Sequence, residues 1–197
     1  MKRQQLLLLI LAFGVFSILN TEMGIIGILP MAAEMYQVDI VQAGMLVSLF
    51  ALGVAIAGPT MPLLFSRFNR KHVMLLVLGV FTICNALAVV ASDFQLLLVL
   101  RVVPAFFHPV YCALAFSVAA ASVAPEDAPD FSNGLFLTAA NLGCMAGTMI
   151  SGFFIRSLGL PFVVCGGLLL AAAALLLTKF VHCRADEQQA TDCLIGS

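Results

Sequence analysis

The chain has 197 residues, of which 62% are hydrophobic and only 10% charged, with a net charge of −1 and a mean hydropathy of +1.12. Soluble domains are nearer half apolar and a quarter charged, and a core of this length cannot hide so much apolar surface from water. Lipid must be the solvent for much of the chain, and no soluble domain is expected.

A membrane span needs about 20 apolar residues, because the hydrocarbon core is about 30 Å thick and a helix rises about 1.5 Å per residue. Six segments qualify, roughly 6–30, 40–65, 73–91, 94–122, 132–156 and 160–181, followed by a short polar tail at 182–197. The start "MKRQQLLLLILAFGVF" has the basic-then-apolar order of a signal peptide. Its apolar run continues to about residue 30 with no A-x-A site before a polar segment, so an uncleaved first span is expected.

The joints between spans are short and carry most of the charge. Asp39 with Gln42, and Ser92 with Gln95, have the spacing of capping boxes at the starts of the second and fourth spans. With the N-terminus inside, the inner side holds Lys2, Arg3, Arg67, Arg70, Lys71, Lys179 and Arg184, and the outer side only Arg156. The positive-inside rule then places both termini in the cytoplasm. No N-x-S/T sequon occurs, which favours a bacterial inner membrane over a secretory one.

Two formally charged residues lie well inside spans: Glu22 in the first and Arg101 in the fourth. Glu22 is eight residues before the outer end of its span, about 12 Å deep, and Arg101 is seven residues into its own, about 10 Å deep. Charges at such depth face a protein interior or an aqueous cavity and find a partner. Three readings of Glu22 compete: an ion pair with Arg101, a proton- or substrate-handling carboxylate in a cavity, or an interfacial residue on a helix that ends early. The first two are compatible, because a pair can open when a proton arrives. Burial and a neighbouring cation act in opposite directions on such a carboxyl, so it can be poised to load and release protons.

His108, seven residues after Arg101, falls on the same helix face. It is either a cavity-lining residue or a histidine bonded to a neighbouring helix, and Pro109 behind it should loosen the span. Asn20 is a further cavity-lining candidate. With Thr21, Asn85, Thr138 and Asn141 it equally fits a polar tie between helices. In "NLGCMAGTMISG", Gly143 and Gly147 stand four apart with Gly152 beyond, a pattern that lets another helix approach closely. The six cysteines are scattered, with no CxxC or Cys/His cluster, and read as small buried side chains instead of disulfide or metal ligands.

These stretches resemble the N-terminal half of a major facilitator superfamily transporter, of the twelve-span drug:proton antiporter (sugar and drug efflux) branch, over residues 5 to 181. "TEMGIIGILP" is similar to that family's acidic, glycine-rich first helix, and "AGMLVSLFALGVAIAGP" to its second. "PLLFSRFNRK" sits where the family has the loop motif G-x-L-a-D-r-x-G-r-k. Leu64, Arg67, Arg70 and Lys71 match it, while Pro62, Ser66 and Asn69 replace its Gly, Asp and Gly. "LVLRVVPAFFHP" carries Arg101 at the arginine of the fourth-helix motif. "GCMAGTMISG" resembles the fifth-helix antiporter motif g-x-x-x-G-P-x-x-G-G, with Gly143, Gly147 and Gly152 matching and Thr148 and Ser151 departing. Ser66 in place of the acid puts the family's charged loop latch in doubt, and Thr148 in place of proline puts in doubt the bend associated with antiport.

The resemblance implies an all-α integral membrane protein, its six transmembrane helices forming two inverted three-helix repeats, one half of a major facilitator fold. It further implies alternating access, a cavity lined by the first and fourth helices, and Glu22 as the proton-coupling residue. The expected function is proton-coupled efflux of small organic molecules such as drugs or sugars. The alternative is a non-transporting remnant, or a regulatory partner of a full-length transporter. Its partners are then the bilayer, a small-molecule substrate, and a second six-helix half or a second copy of the chain, because six helices alone leave cavity residues against lipid. A truncated product is the favoured explanation of the six spans. No cofactor, metal or nucleic acid is expected. An enzyme is disfavoured, since neither H-E-x-x-H nor a Ser/His pair with a GxSG-type turn occurs, and a G-x-x-x-x-G-K-[ST] phosphate loop for an ATP-driven pump is also missing.

Overall fold

Hydrocarbon offers no partner for a free peptide group, so a span must bond its own backbone, and a helix does this within one segment. The computed structural model describes residues 3–120, 141–143 and 163–175, and all the regular structure among them is helical. Helix α1 runs Arg3–Tyr36, α2 Ile40–Ala43, α3 Met45–Phe65, α4 Arg70–Val89, α5 Phe94–Ala105 and α6 His108–Ala120. A further apolar helix, α7, covers Val163–Leu175. Four helical stretches among the described residues are long and apolar enough to cross a membrane: Leu9–Tyr36, Ile40–Phe65, Arg70–Val89 and Phe94–Val118. Of the fifth and sixth expected spans, only 141–143 and 163–175 are described. Thr138, Gly147, Gly152 and the tail at 182–197 lie outside.

The ends of the helices follow local chemistry, and two differ from the sequence expectation. The first span does not stop at Pro30, which sits inside α1. One proline removes a single internal hydrogen bond, and the next turns are held from outside: Ala32 is fully buried and the Tyr36 hydroxyl donates to the Ala91 carbonyl at 3.0 Å. The helix ends where Gln37 turns left-handed, at φ 51°, and the Val38 N–H closes back on the Ala33 carbonyl at 3.1 Å. Asp39 and Gln42 do form a capping box at α2. At α5 the cap is Asp93 and not Ser92. Asp93 is the residue with extended backbone, and its carboxylate accepts from the Leu96 N–H at 2.7 Å.

The fourth span is broken in two. Pro104 and Pro109 lack the N–H groups that would serve Leu100 and Ala105, so the ladder is interrupted at Phe106–Phe107. The Phe107 N–H bonds Pro104 at 3.0 Å and the Val110 N–H bonds Phe107 at 3.2 Å, a tighter turn that restarts the helix at His108.

Buried apolar residues form two clusters. Towards the N-terminal end of α1, Leu11, Val15 and Ile18 pack with Met74, Val77 and Phe81 of α4, Val110 and Tyr111 of α6, and Leu169 of α7. Towards its other end, Ile25, Ile28 and Ala32 pack with Leu46 of α3 and Leu97 of α5. Of the buried polar residues of α1, Asn20 and Thr21 lie between these clusters in the chain, and Ser17 lies within the first. Leu52, Ile56 and Leu63 on α3 and Ile83 and Leu87 on α4 are instead exposed, as lipid-facing residues should be. Helix α3 approaches α5 closely where Gly53 meets Ala105, and a Cβ on residue 53 would stand 3.0 Å from the Ala105 Cβ.

Gly53→Val should therefore overpack the α3–α5 contact and lower stability by about 1–3 kcal/mol. Gly58→Val is the matched control, since a Cβ at residue 58 meets nothing within 4 Å. Thermal unfolding in detergent should show a lower Tm for the first variant than for the second. Equal Tm values would contradict the close approach.

Candidate functional site

The polar layer is assembled around Arg101 of α5. This side chain is 4% exposed, and it reaches α1 instead of solvent. Its two terminal nitrogens donate to the main-chain carbonyls of Thr21, at 2.9 Å, and Glu22, at 3.0 Å. A helical carbonyl has a second lone pair beyond the one its own helix uses, so α1 accepts both bonds without unwinding. From α3, Phe50 offers its ring face to the same guanidinium, 5.0 Å from the ring centroid.

The Glu22 carboxylate is placed differently from a simple acid–base pair with Arg101. Among the described residues no salt bridge within 4 Å joins the two side chains. The guanidinium is occupied by the α1 backbone, and the carboxylate turns to α6, where Glu22 Oε2 lies 3.3 Å from His108 Nε2. The two side chains keep 19% and 13% of their surface exposed, respectively. Glu22 and Arg101 nonetheless stand at one level, as the depth estimate requires, and His108 joins them. Its ring also meets Phe50 edge-on at 6.1 Å, and its Nε2 is 4.0 Å from Cys112 Sγ.

Asn20 is fully buried and ties α1 to α7, its Nδ2 3.8 Å from Cys165 Sγ. Ser17, also on α1, donates to Phe13 of its own helix at 2.7 Å, with the Leu168 carbonyl at 3.5 Å. Thr21 and Asn85 bond back into their own helices, to Ser17 and Phe81. Among the described residues, four buried polar atoms in or beside this layer have no partner: Asn20 Oδ1, Arg101 Nε, His108 Nδ1 and Tyr111 Oη. Such atoms are costly in a packed interior, and they cluster where a site awaits another group or another conformation.

The sequence reading missed Phe50, Cys112 and Tyr111. Phe50 shares a buried face with Leu46, Gly53 and Ala57, a helical period that a span apolar on every side conceals. Tyr111 stands three residues after His108, a polar tip on the same helix surface, and that spacing was the available signal.

The other candidates lie elsewhere. Arg67 and Arg70 are exposed at the α3–α4 joint with Lys71 beside them, where the Ser66 hydroxyl donates to Leu63 at 2.7 Å and Asn69 caps α4 by accepting from the Lys71 N–H at 3.1 Å. Gly143 is buried against α1: a Cβ there would lie 2.8 Å from the Phe16 carbonyl oxygen, so only glycine lets the backbones come this close. A cleft of about 570 Å³ at the far end of the bundle, lined by Gln42, Asp93 and Gln95 among others, is separate from the polar layer.

A sequence profile of the Major Facilitator Superfamily matches residues 11–191. The chain belongs to that superfamily. It is accordingly a membrane protein of a transporter family, and not an enzyme. The uncharacterized MFS-type transporter YtbD of Bacillus subtilis (strain 168) is 33% identical over 155 residues, which cover 79% of this chain and 39% of that protein. The inner membrane transport protein YdhP of Escherichia coli (strain K12) is 39% identical over 119 residues, covering 60% of this chain and 30% of that one. A solved bacterial homolog of the human lysosomal transporter Spinster, inward-facing and unoccupied, superposes with a TM-score of 0.77 at 18% identity over 90% of this chain and 43% of its own. That likeness is one of fold. This superfamily member thus spans less than half the length of the relatives it matches.

Arg101→Lys tests the bracket between α5 and α1. A lysine keeps the charge but has no planar fork to hold two carbonyls at once. Each hydrogen bond to a charged group contributes about 1.5–3 kcal/mol, so we expect a clear fall in Tm in detergent, with Val99→Ala on the exposed face of α5 as a neutral comparison. An unchanged Tm would deny Arg101 this role.

Proposed function

We propose that this chain forms the N-terminal six-helix bundle of a proton-coupled transporter that exports small organic molecules, drugs or sugars, by alternating access. Two inverted three-helix repeats would make up the bundle, with both termini in the cytoplasm of a bacterial inner membrane. The single observation that carries the reading is the Glu22 carboxylate. It is held in the bundle interior on α1, partly open, against His108 and beside the buried Arg101. A carboxylate kept at that depth is expensive unless its charge is used. In this scheme Glu22 takes up and releases the coupling proton, Arg101 holds α1 and α5 in register, and His108 and Asn20 line the path. The glycine pattern at Gly143, Gly147 and Gly152 serves the close packing that rocking motions need. A second six-helix half, or a second copy of the chain, completes the enclosure.

Reconstitution of the full chain in proteoliposomes, with a pH-sensitive dye inside, tests the activity. Addition of lipophilic cations or monosaccharides should drive proton movement in wild type, and Glu22→Gln should lower it at least about tenfold, as expected for loss of a general acid–base group. If neither wild type nor Glu22→Gln moves protons across the panel, the chain by itself does not transport and the remnant or partner reading replaces this one; equal flux in both would remove Glu22 from the coupling. Topology is tested separately. Fusion of alkaline phosphatase after Ser197 should be inactive and fusion of a green fluorescent protein bright, and the reverse result would overturn the orientation.

A further inference from the structure

Glu22 has a neighbour that the proposed coupling does not require. His108 presents Nε2 to the carboxylate at 3.3 Å, and its other ring nitrogen, Nδ1, is buried with no hydrogen-bond partner. The titratable and charged groups around the ring are few. Among the described residues they are Glu22 from α1, Cys112 from α6 itself, and Arg101 of α5 on the ring of Phe50. Helix α3 contributes Phe50 and contains no titratable residue, and α4 packs towards α6 with Met74, Val77 and Leu78. Cys165 of α7 is engaged with Asn20.

The 3.3 Å contact between Oε2 and Nε2 has room for one proton. With Glu22 ionised, Nε2–H donates to the carboxylate, and in the neutral ring Nδ1 is a bare acceptor. With Glu22 protonated, its O–H donates to Nε2, and the proton of the neutral ring must sit on Nδ1. A change of charge at Glu22 therefore forces a change of tautomer at His108.

We propose that Glu22 and His108 hold the coupling proton as one unit, and that the ring passes it on. The Glu22 O–H breaks as Nε2–H forms, giving a carboxylate beside an imidazolium. The Nδ1–H bond then breaks and the proton goes to a water molecule on the far side of the ring. The products are the carboxylate, a neutral ring protonated at Nε2, and a hydrated proton, so charge and atoms balance. Nδ1 is closed to solvent in this conformation. Release must wait until the bundle opens on that side, which prevents a proton leak through the resting protein. His108 is thus a relay, and Glu22 alone does not set the proton's exit. This inference rests on Glu22 being the coupling acid of the proposed function.

The test uses the full chain in lipid nanodiscs with 15N-labelled histidine. Ring-nitrogen NMR distinguishes the two tautomers and the imidazolium, and the His108 signals are assigned by their loss in His108→Gln. Infrared difference spectra follow the Glu22 carboxyl band, assigned by its loss in Glu22→Gln. We expect the tautomer change at His108 and the Glu22 band to share one pH midpoint, because strongly coupled sites titrate as a pair. In Glu22→Gln the pH-dependent tautomer change should vanish. Midpoints separated by more than about one pH unit, or a His108 titration indifferent to Glu22→Gln, would overturn the proposal. Should His108→Gln or Glu22→Gln fail to fold, His108→Asn and Glu22→Asp supply the same assignments. No transport is needed for this readout. A chain that carries no flux but titrates jointly loses the transporter reading and keeps this one, and flux with separate midpoints does the reverse.

Discussion

A guanidinium in the middle of a membrane bundle needs partners for its donors, and Arg101 finds them for its two terminal nitrogens in the main chain of α1. That choice sets much of the rest. Bonds to the carbonyls of Thr21 and Glu22 fix the height of α5 against α1 to within a residue. They also occupy the nitrogens that would otherwise seize the Glu22 carboxylate. Glu22 is left with its backbone anchored and its side chain free to face another helix. Phe50 fills the space beneath, touching both Arg101 and His108, so α3 is drawn into the same layer.

The break in the fourth span complements this bracket. A straight helix from Phe94 to Ala120 would carry Arg101 and His108 about 10 Å apart along its axis, seven residues at about 1.5 Å each. The interruption at Phe106–Phe107 ends α5 and restarts the chain as α6 with His108 at its first position. Both side chains reach Glu22, Arg101 its main-chain carbonyl and His108 its carboxylate. Close backbone approach at Gly53 and Gly143 lets the surrounding helices pack around the layer without side chains in the way. The apolar clusters on either side shield it from both ends. A polar layer walled in this way has a low effective dielectric, where protonation and hydrogen bonding carry more weight than in water.

Much of this was legible beforehand because lipid makes polarity conspicuous. A carboxylate and a guanidinium among apolar residues stand out, and helical rise alone brings them level. Capping chemistry was readable at Asp39 and off by one residue at Ser92, since Ser92 and Asp93 are both good caps and only the backbone decides which is extended. The end of the first span was misjudged at Pro30 because proline signals a weakness in the helix and says nothing of the contacts at Ala32 and Tyr36 that outweigh it. Phe50, Tyr111 and Cys112 stayed hidden because spans so rich in apolar residues have no polar face to contrast with a buried one.

Sequence by itself determined that this is a membrane protein, which superfamily its motifs resemble, and which two charges are out of place in lipid. All of these are properties of composition, spacing and the thickness of hydrocarbon. Tertiary structure alone decided whom those charges meet. Arg101 turned to the α1 backbone and Glu22 to His108, because hydrogen-bond direction and the room left by neighbouring helices govern pairing at close range, and neither is written in the distance between residues along the chain.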